Sequence, residues 1–355
     1  MRVGILTSGG DCQALNATMR GLALTLYRNV KDVEIIGFID GYKGLIYEKY
    51  KKMKPKDFYD ILNVGGSILG NSRCPFKRMR IIENGFDKVK AMKNTYKKLE
   101  LDCLVVLGGN GSIKSANMLS QEGLNVIALP KTIDNDAWGT DYTFGYSSAT
   151  AIATRYLDEI KTTAASHSRV FVIEVMGHKV GHICLSAGIA AGADVILLPE
   201  IPYDIKVVAK KVKETLKNEK NYAIIACAEG AISEADALMK RKDYKAKVLA
   251  RNGRSVAYEV ADELSQEIDA EIRVSCIGHA QRGGNPNSYD REISTRFGVE
   301  GARLIIKKHY GEYVVLQGNH VTHIPLEATA GKLKYVDTEG EIVQSAKLVG
   351  ISFGE

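Results

Sequence analysis

Short β-branched and apolar runs alternate with longer stretches whose apolar residues recur every three or four positions, almost from end to end. The runs Arg2–Thr7, Val33–Ile39, Asp102–Leu107, Asn125–Leu129, Arg169–Val175, Asp194–Leu198, Tyr222–Ala228, Glu271–Ile277 and Tyr313–Gln317 predict strands. Leu15, Met19, Leu22 and Leu26 share a helical face, as do Ile152, Tyr156 and Ile160, and Val256, Val260, Leu264 and Ile268. Strand–helix alternation at this spacing means βαβ units and mostly parallel sheets. Nine strands overfill one small sheet, so the pattern predicts two α/β domains with a boundary near residues 137–147.

Composition narrows the class. The 355 residues are 45% hydrophobic and 25% charged, which excludes disorder, collagen-like repeats and coiled coil. Runs such as Val195–Leu198 and Val170–Ile173 fall far short of the roughly 20 apolar residues a membrane span needs. Only Val3–Leu6 precedes the first glycine pair, too short for the core of a secretory signal. No membrane partner is expected. Cys12, Cys74, Cys103, Cys184, Cys227 and Cys276 are scattered without a Cys-x-x-Cys pair, the pattern of reduced thiols in a cytoplasmic protein. The net charge, 48 − 42 = +6, suits an acidic small substrate. A single Trp argues against a stacking platform for single strands, and no nucleic-acid partner is expected. The lysine clusters at Lys49–Lys56 and Lys240–Lys247 read as solvated surface.

Parallel α/β sheets place ligands beyond the carboxyl ends of their strands. Thr7-Ser8-Gly9-Gly10-Asp11 follows the first strand, and Leu107-Gly108-Gly109-Asn110-Gly111-Ser112 follows the third. Each leads into a helix. Glycines let backbone amides approach phosphate oxygens, and the helix N-terminus adds partial positive charge. One such loop is an ordinary tight turn; two in the same half point to phosphate. Residues 109–115 match neither G-x-x-x-x-G-K-[ST] nor G-x-G-x-x-G, and His178 and His182 make a weak zinc pair.

Pro130-Lys131-Thr132-Ile133-Asp134-Asn135-Asp136 follows another strand and reads either as a plain Asn/Asp turn or as a tight turn that brings two carboxylates to one site, one as base and one as metal or water partner. Arg169, Met176-Gly177-His178, Glu229 and His279-Ala280-Gln281-Arg282-Gly283-Gly284 border later strands. Arginine's planar fork suits a phosphate dianion. The residues thus read as a kinase-like site, with glycine loops for a phosphoryl donor and Arg and His for a phosphorylated acceptor.

These segments, with Glu174-Val175-Met176-Gly177, resemble in order and kind the signatures of the 6-phosphofructokinases, over roughly residues 1–320. The resemblance implies that family's fold, two Rossmann-like α/β domains. A donor (ATP) domain would span 1–145 plus about 281–331, and a fructose 6-phosphate domain 146–280 plus about 332–355. It implies phosphoryl transfer to the 1-hydroxyl of fructose 6-phosphate, a step of glycolysis, with Asp134 as general base and Thr132 and Asp136 beside the transferred group. Thr132, Ile133, Asp134, Arg169, Met176, Gly177, His178, Glu229, Arg273, His279, Ala280, Gln281 and Arg282 match sugar-phosphate positions. Arg169 and Arg273 match arginines that cross a subunit boundary, so a homodimer or homotetramer is implied. Gly10, Tyr42, Arg73, Cys74, Gly109, Asn110, Gly111, Ser112 and Lys131 match donor-side positions, with Asn110 at the Mg²⁺.

Several positions depart from the pattern. Asn110 replaces an aspartate that helps hold Mg²⁺ in many members, and His178 replaces an arginine. Gly111 is the residue of ATP-using members, whereas Lys131 is typical of pyrophosphate-using ones. A carboxylate at 111 would exclude a nucleotide's α-phosphate, while a cation at 131 only adds attraction, so ATP is the expected donor and pyrophosphate the alternative. Leu24 and Pro55 stand where a nucleotide effector pocket often carries arginines, although Arg20, Lys161, Asp194 and Lys220 are kept. Two other readings stand beside this one: a different kinase class that shares the glycine loop, and a non-catalytic sugar-phosphate-sensing paralogue.

Overall fold

The computed structural model describes residues 1–218, 220–329 and 331–355, which divide into two compact units. The first comprises Met1–Ser148 and Arg282–Lys334, the second Ala149–Gln281 and Tyr335–Glu355.

The first unit is built on a seven-stranded sheet. Its strands are β1 (Arg2–Ser8), β2 (Glu34–Phe38), β3 (Tyr50–Met53), β4 (Cys103–Gly108), β5 (Val126–Pro130), β10 (Glu312–Gln317) and β11 (His320–Pro325), in the order β11-β10-β5-β4-β1-β2-β3. The five inner strands run parallel; β3 and β11 pair antiparallel at the edges. Inner strands such as β4 and β5 are buried throughout, which is why they read as unbroken apolar runs. From β1 the chain moves outward to β2, then returns to β4 on the other side. The loops after β1 and β4 therefore flank the point where the strand order reverses, the usual ligand crevice of such a sheet.

Helix Leu15–Asn29 buries the expected Leu15, Met19, Leu22 and Leu26. It packs on helix Ser288–Ile306, and Gly21 is where they meet: a Cβ there would lie 2.6 Å from the Thr295 carbonyl oxygen. That close crossing seats the 282–334 segment on the sheet laid down by residues 1–148.

The second unit carries a parallel four-stranded sheet, β7-β8-β6-β9, from β6 (Val170–Val175), β7 (Val195–Leu197), β8 (Ala223–Ala228) and β9 (Ile272–Cys276). Its core is Val170, Val172, Ile225 and Cys227 against Val208 and Val212 of helix Ile205–Asn218 and Val256, Val260 and Leu264 of helix Val256–Ser265. In helix Tyr146–His167 the fully buried face is Ala149, Ala153, Leu157 and Ala164. The Ile152, Tyr156 and Ile160 stripe is only half-buried.

All nine predicted strands are present. The two that sequence reading misses, β3 and β11, are edge strands with exposed lysines or half-buried residues and no alternating apolar signature. Tyr50–Met53 lies inside the lysine cluster read as surface; lysines on an edge discourage pairing with another chain.

Candidate active site

In the first unit the loops after β1, β4 and β5 converge. A Cβ on Gly9 would sit 3.3 Å from Lys131 Nζ and 3.6 Å from Ser112 Oγ, and one on Gly109 3.8 Å from Thr132 Cβ. Gly9 takes φ +91°, a conformation that disfavours any side chain. Its amide donates to the Ser72 carbonyl (3.1 Å), which brings exposed Arg73 and half-buried Cys74 alongside. Arg282 completes the cluster from the returning segment. Its Nη1 donates to the Asp11 carbonyl (2.8 Å) and packs on Gly10 so closely that a Cβ there would lie 2.7 Å away.

Lys131 is the unusual residue here. Its side chain is buried under the β1 loop, with Nζ donating to the Gly10 carbonyl. Burial pushes its pKa down to about 8, against the pull of nearby Asp134 and Asp11.

The Thr132–Asp136 turn is tightly held. The Asp134 amide donates to Thr132 Oγ1 (3.1 Å), and Thr143 donates from its hydroxyl to the Thr132 carbonyl (2.7 Å) and from its amide to Asn135 Oδ1 (3.1 Å). Asn135 takes φ +55° between the two carboxylates. Asp134 is half-buried and Asp136 buried, so the turn offers Asp134 outward and keeps Asp136 in. Asn135 and Thr143 hold this turn, a part the sequence did not flag; Asn in a left-handed turn was the only available signal.

Asn110 opens helix Asn110–Gln121, and its amide nitrogen donates to the Lys332 carbonyl (2.7 Å). With that nitrogen engaged, the side chain has only its neutral amide oxygen to offer a cation, and among the described residues no cluster of three or more His, Cys, Asp or Glu could hold a metal. The donor set is that one oxygen. It fits a Mg²⁺ that is carried largely by substrate phosphates and water rather than by a protein cage.

In the second unit the loops after β6, β8 and β9 meet. The Met176 amide donates to Gln281 Oε1 (2.9 Å), the His178 amide to Glu229 Oε1, and the Glu229 amide to the Val175 carbonyl (2.9 Å). His178 is exposed with φ +55°, and His279 and Ala280 are exposed in the turn Gly278–Arg282. Arg169 and Arg273 lie elsewhere. Arg169 precedes β6 and Arg273 faces Phe171 across β9, so both sit at the opposite end of the strands, roughly 20 Å from Met176 at 3.3 Å per residue. Both pair with Glu271, Arg169 through Nε at 2.8 Å.

Tyr42, Ile133 and Gln281 are 0% exposed. The Tyr42 hydroxyl donates to the Ser112 carbonyl (2.8 Å) and Gln281 Oε1 accepts from the Met176 amide, so these two side chains hold the loops they lie beneath.

Comparison with known proteins places the chain. The phosphofructokinase family model matches residues 2–305. An "ATP-dependent 6-phosphofructokinase" of Spirochaeta thermophila is 47% identical over 99% of this chain and 97% of its own. "ATP-dependent 6-phosphofructokinase 3" of Bacteroides thetaiotaomicron is 42% identical over all of both chains. Among solved structures, phosphofructokinase of Saccharomyces cerevisiae superimposes with TM-score 0.80 at 28% identity, covering 92% of this chain but 45% of the yeast chain. A pyrophosphate-dependent phosphofructokinase of Nitrosospira multiformis gives TM-score 0.81 at 20% identity, covering 96% and 87%, a likeness of fold alone.

Proposed function

The chain belongs to the phosphofructokinase family, and from that premise we infer that it transfers a phosphoryl group from ATP to the 1-hydroxyl of fructose 6-phosphate. The observation that carries this reading is the convergence of the β1, β4 and β5 loops on Lys131 and Thr132, at the start of the turn that carries Asp134, backed by relatives named for that activity that match end to end. Asp134 accepts the hydroxyl proton as the oxygen attacks the terminal phosphorus and the bond to ADP breaks. The Gly10, Asp11, Asn110 and Gly111 amides would face the donor phosphates, with Lys131 beneath the first loop, while the Gly9 and Ser112 amides hold the loops themselves. Mg²⁺, bound through Asn110 and the phosphates, would neutralise charge on the donor. The reaction otherwise needs positioning more than covalent chemistry.

ATP is favoured over pyrophosphate by the space at Gly111, where an added Cβ meets nothing within 4 Å. Met176, His178, Glu229 and His279 would receive the sugar phosphate. Arg169 and Arg273, at the far end of their strands from those residues, would serve a neighbouring chain, making the active form at least a dimer. The six thiols are free, and no helix among the described residues is long and apolar enough to cross a membrane; we place the enzyme in the cytoplasm. The test is product identification: with MgATP and fructose 6-phosphate the protein should form ADP and fructose 1,6-bisphosphate one for one. ATP breakdown without the bisphosphate, or neither product, would overturn the reading.

A further inference from the structure

Asp290 lies in the first turn of helix Ser288–Ile306 and is 0% exposed, with no ion pair among the described residues. Burial pushes its carboxyl above the ordinary range, against the pull of the donors around it. An apolar side chain would avoid that cost, so its retention calls for a specific task. Its Oδ1 accepts from the Tyr142 hydroxyl (3.0 Å) and the Gly145 amide (3.0 Å). Its Oδ2 accepts from the Ser148 amide (2.8 Å) and hydroxyl (2.5 Å). The Tyr142 oxygen in turn accepts from the Ser147 amide (2.7 Å), and Ser148 Oγ from the Asn287 amide (3.0 Å). Four donors on one carboxylate, two of them backbone amides, is a demand that an asparagine cannot meet. Its Nδ2 would face the Gly145 or the Ser148 amide, donor against donor.

The segment gripped this way has a second side. Between Tyr142 and Gly145, Thr143 holds the Thr132 carbonyl and Asn135, and the Phe144 amide donates to the Pro130 carbonyl (3.1 Å). The Pro130–Asp136 turn therefore hangs from residues 143–144, which are themselves fixed by Asp290. We propose that Asp290 is a positioning residue for phosphoryl transfer: through Tyr142, Gly145 and Ser148 it fixes the strap from which the Asp134 turn is suspended. The proposal rests on Asp134 being the base. Asp290 touches no substrate; it sets where the base stands, and misplacement of a reacting group by about 1 Å commonly costs about 100-fold in rate.

The test compares Asp290→Asn, Thr143→Val, their double variant and Tyr142→Phe in the full chain. Amide hydrogen exchange reads the linkage without activity. In Asp290→Asn, protection should fall across residues 130–136, which Asp290 does not contact, as well as across 142–148. A change confined to 142–148 would overturn the proposal. In turnover, kcat should fall about 10–100-fold with the KM for fructose 6-phosphate within about threefold, and the double variant should lose no more than the worse single. Additive losses, or a kcat within about threefold of wild type, would contradict it. If Asp290→Asn does not fold, Tyr142→Phe keeps the carboxylate, removes one donor and should move both readouts the same way by less. A wild-type protein that makes no bisphosphate refutes the functional reading, while exchange still decides the linkage.

Discussion

At the scale of single residues the account turns on Asp134 and Lys131. Asp134→Asn should keep the fold and sugar-phosphate affinity while kcat falls about 10²–10⁴-fold, the usual cost of removing a general base. A variant within threefold of wild type would remove Asp134 from the mechanism. Lys131 gives a signed pH effect. Its pKa of about 8 in the folded protein lies below the ordinary lysine value, so the ammonium is present below pH 8 and lost above it. If that charge meets donor phosphates, kcat/KM for ATP should drop above about pH 8, and Lys131→Met should lack that limb. Lys334, also lowered to about 8 by burial, holds the Thr140 and Asp141 carbonyls in both proteins, so the comparison isolates Lys131. The stability sign follows as well. The unfolded chain binds more protons between pH 8 and the ordinary lysine range, so wild type should gain stability relative to Lys131→Met as pH rises through that window, as urea unfolding would show. The identity of these residues could be read from the sequence, because glycines and carboxylates after strands have few other uses. Their burial could not: nothing in Pro130–Asp136 announces that Lys131 points inward, or that Tyr42 and Gln281 are sealed beneath their loops.

At the scale of elements, the first turn of helix Asn110–Gln121 offers the cleanest experiment. A side chain at Gly111 meets nothing, and an acid in a first turn interacts favourably with the helix dipole. Gly111→Asp should therefore leave stability unchanged or raise it by up to about 1 kcal/mol. It should nevertheless cut kcat/KM for ATP by more than tenfold and spare pyrophosphate, since only the nucleotide has an α-phosphate to repel. An unchanged donor ratio in this variant would mean that position 111 does not set the donor. The inner strands and the helix Leu15–Asn29 were legible because burial on both faces, or on one stripe, leaves an unbroken pattern. β3 and β11 were not, since an edge strand with one solvated side needs neither an apolar run nor alternation. The strap at Tyr142–Ser148 was invisible for another reason. Its partner Asp290 is more than 140 residues away, and a buried aspartate on a helix looks like any surface aspartate in one dimension.

At the scale of the whole molecule, the placement of Arg169 and Arg273 far from the loops after their own strands predicts shared sites. Co-expressed Asp134→Asn and Arg169→Ala chains, each inactive alone, should recover about a quarter of wild-type activity, since one random pairing in four joins an intact base to an intact arginine. No recovery would mean that Arg169 acts within its own chain. The Arg169–Glu271 pair lies at the surface, where ion pairs add little to stability, so Arg169→Ala should still fold. The central claim is that this family member takes its phosphoryl group from ATP and delivers it to fructose 6-phosphate. The most direct test is the ratio of kcat/KM for ATP and pyrophosphate with the wild-type protein and saturating fructose 6-phosphate, each tenfold being about 1.4 kcal/mol of transition-state stabilisation. The account predicts that ATP wins by at least tenfold; a ratio favouring pyrophosphate would contradict it.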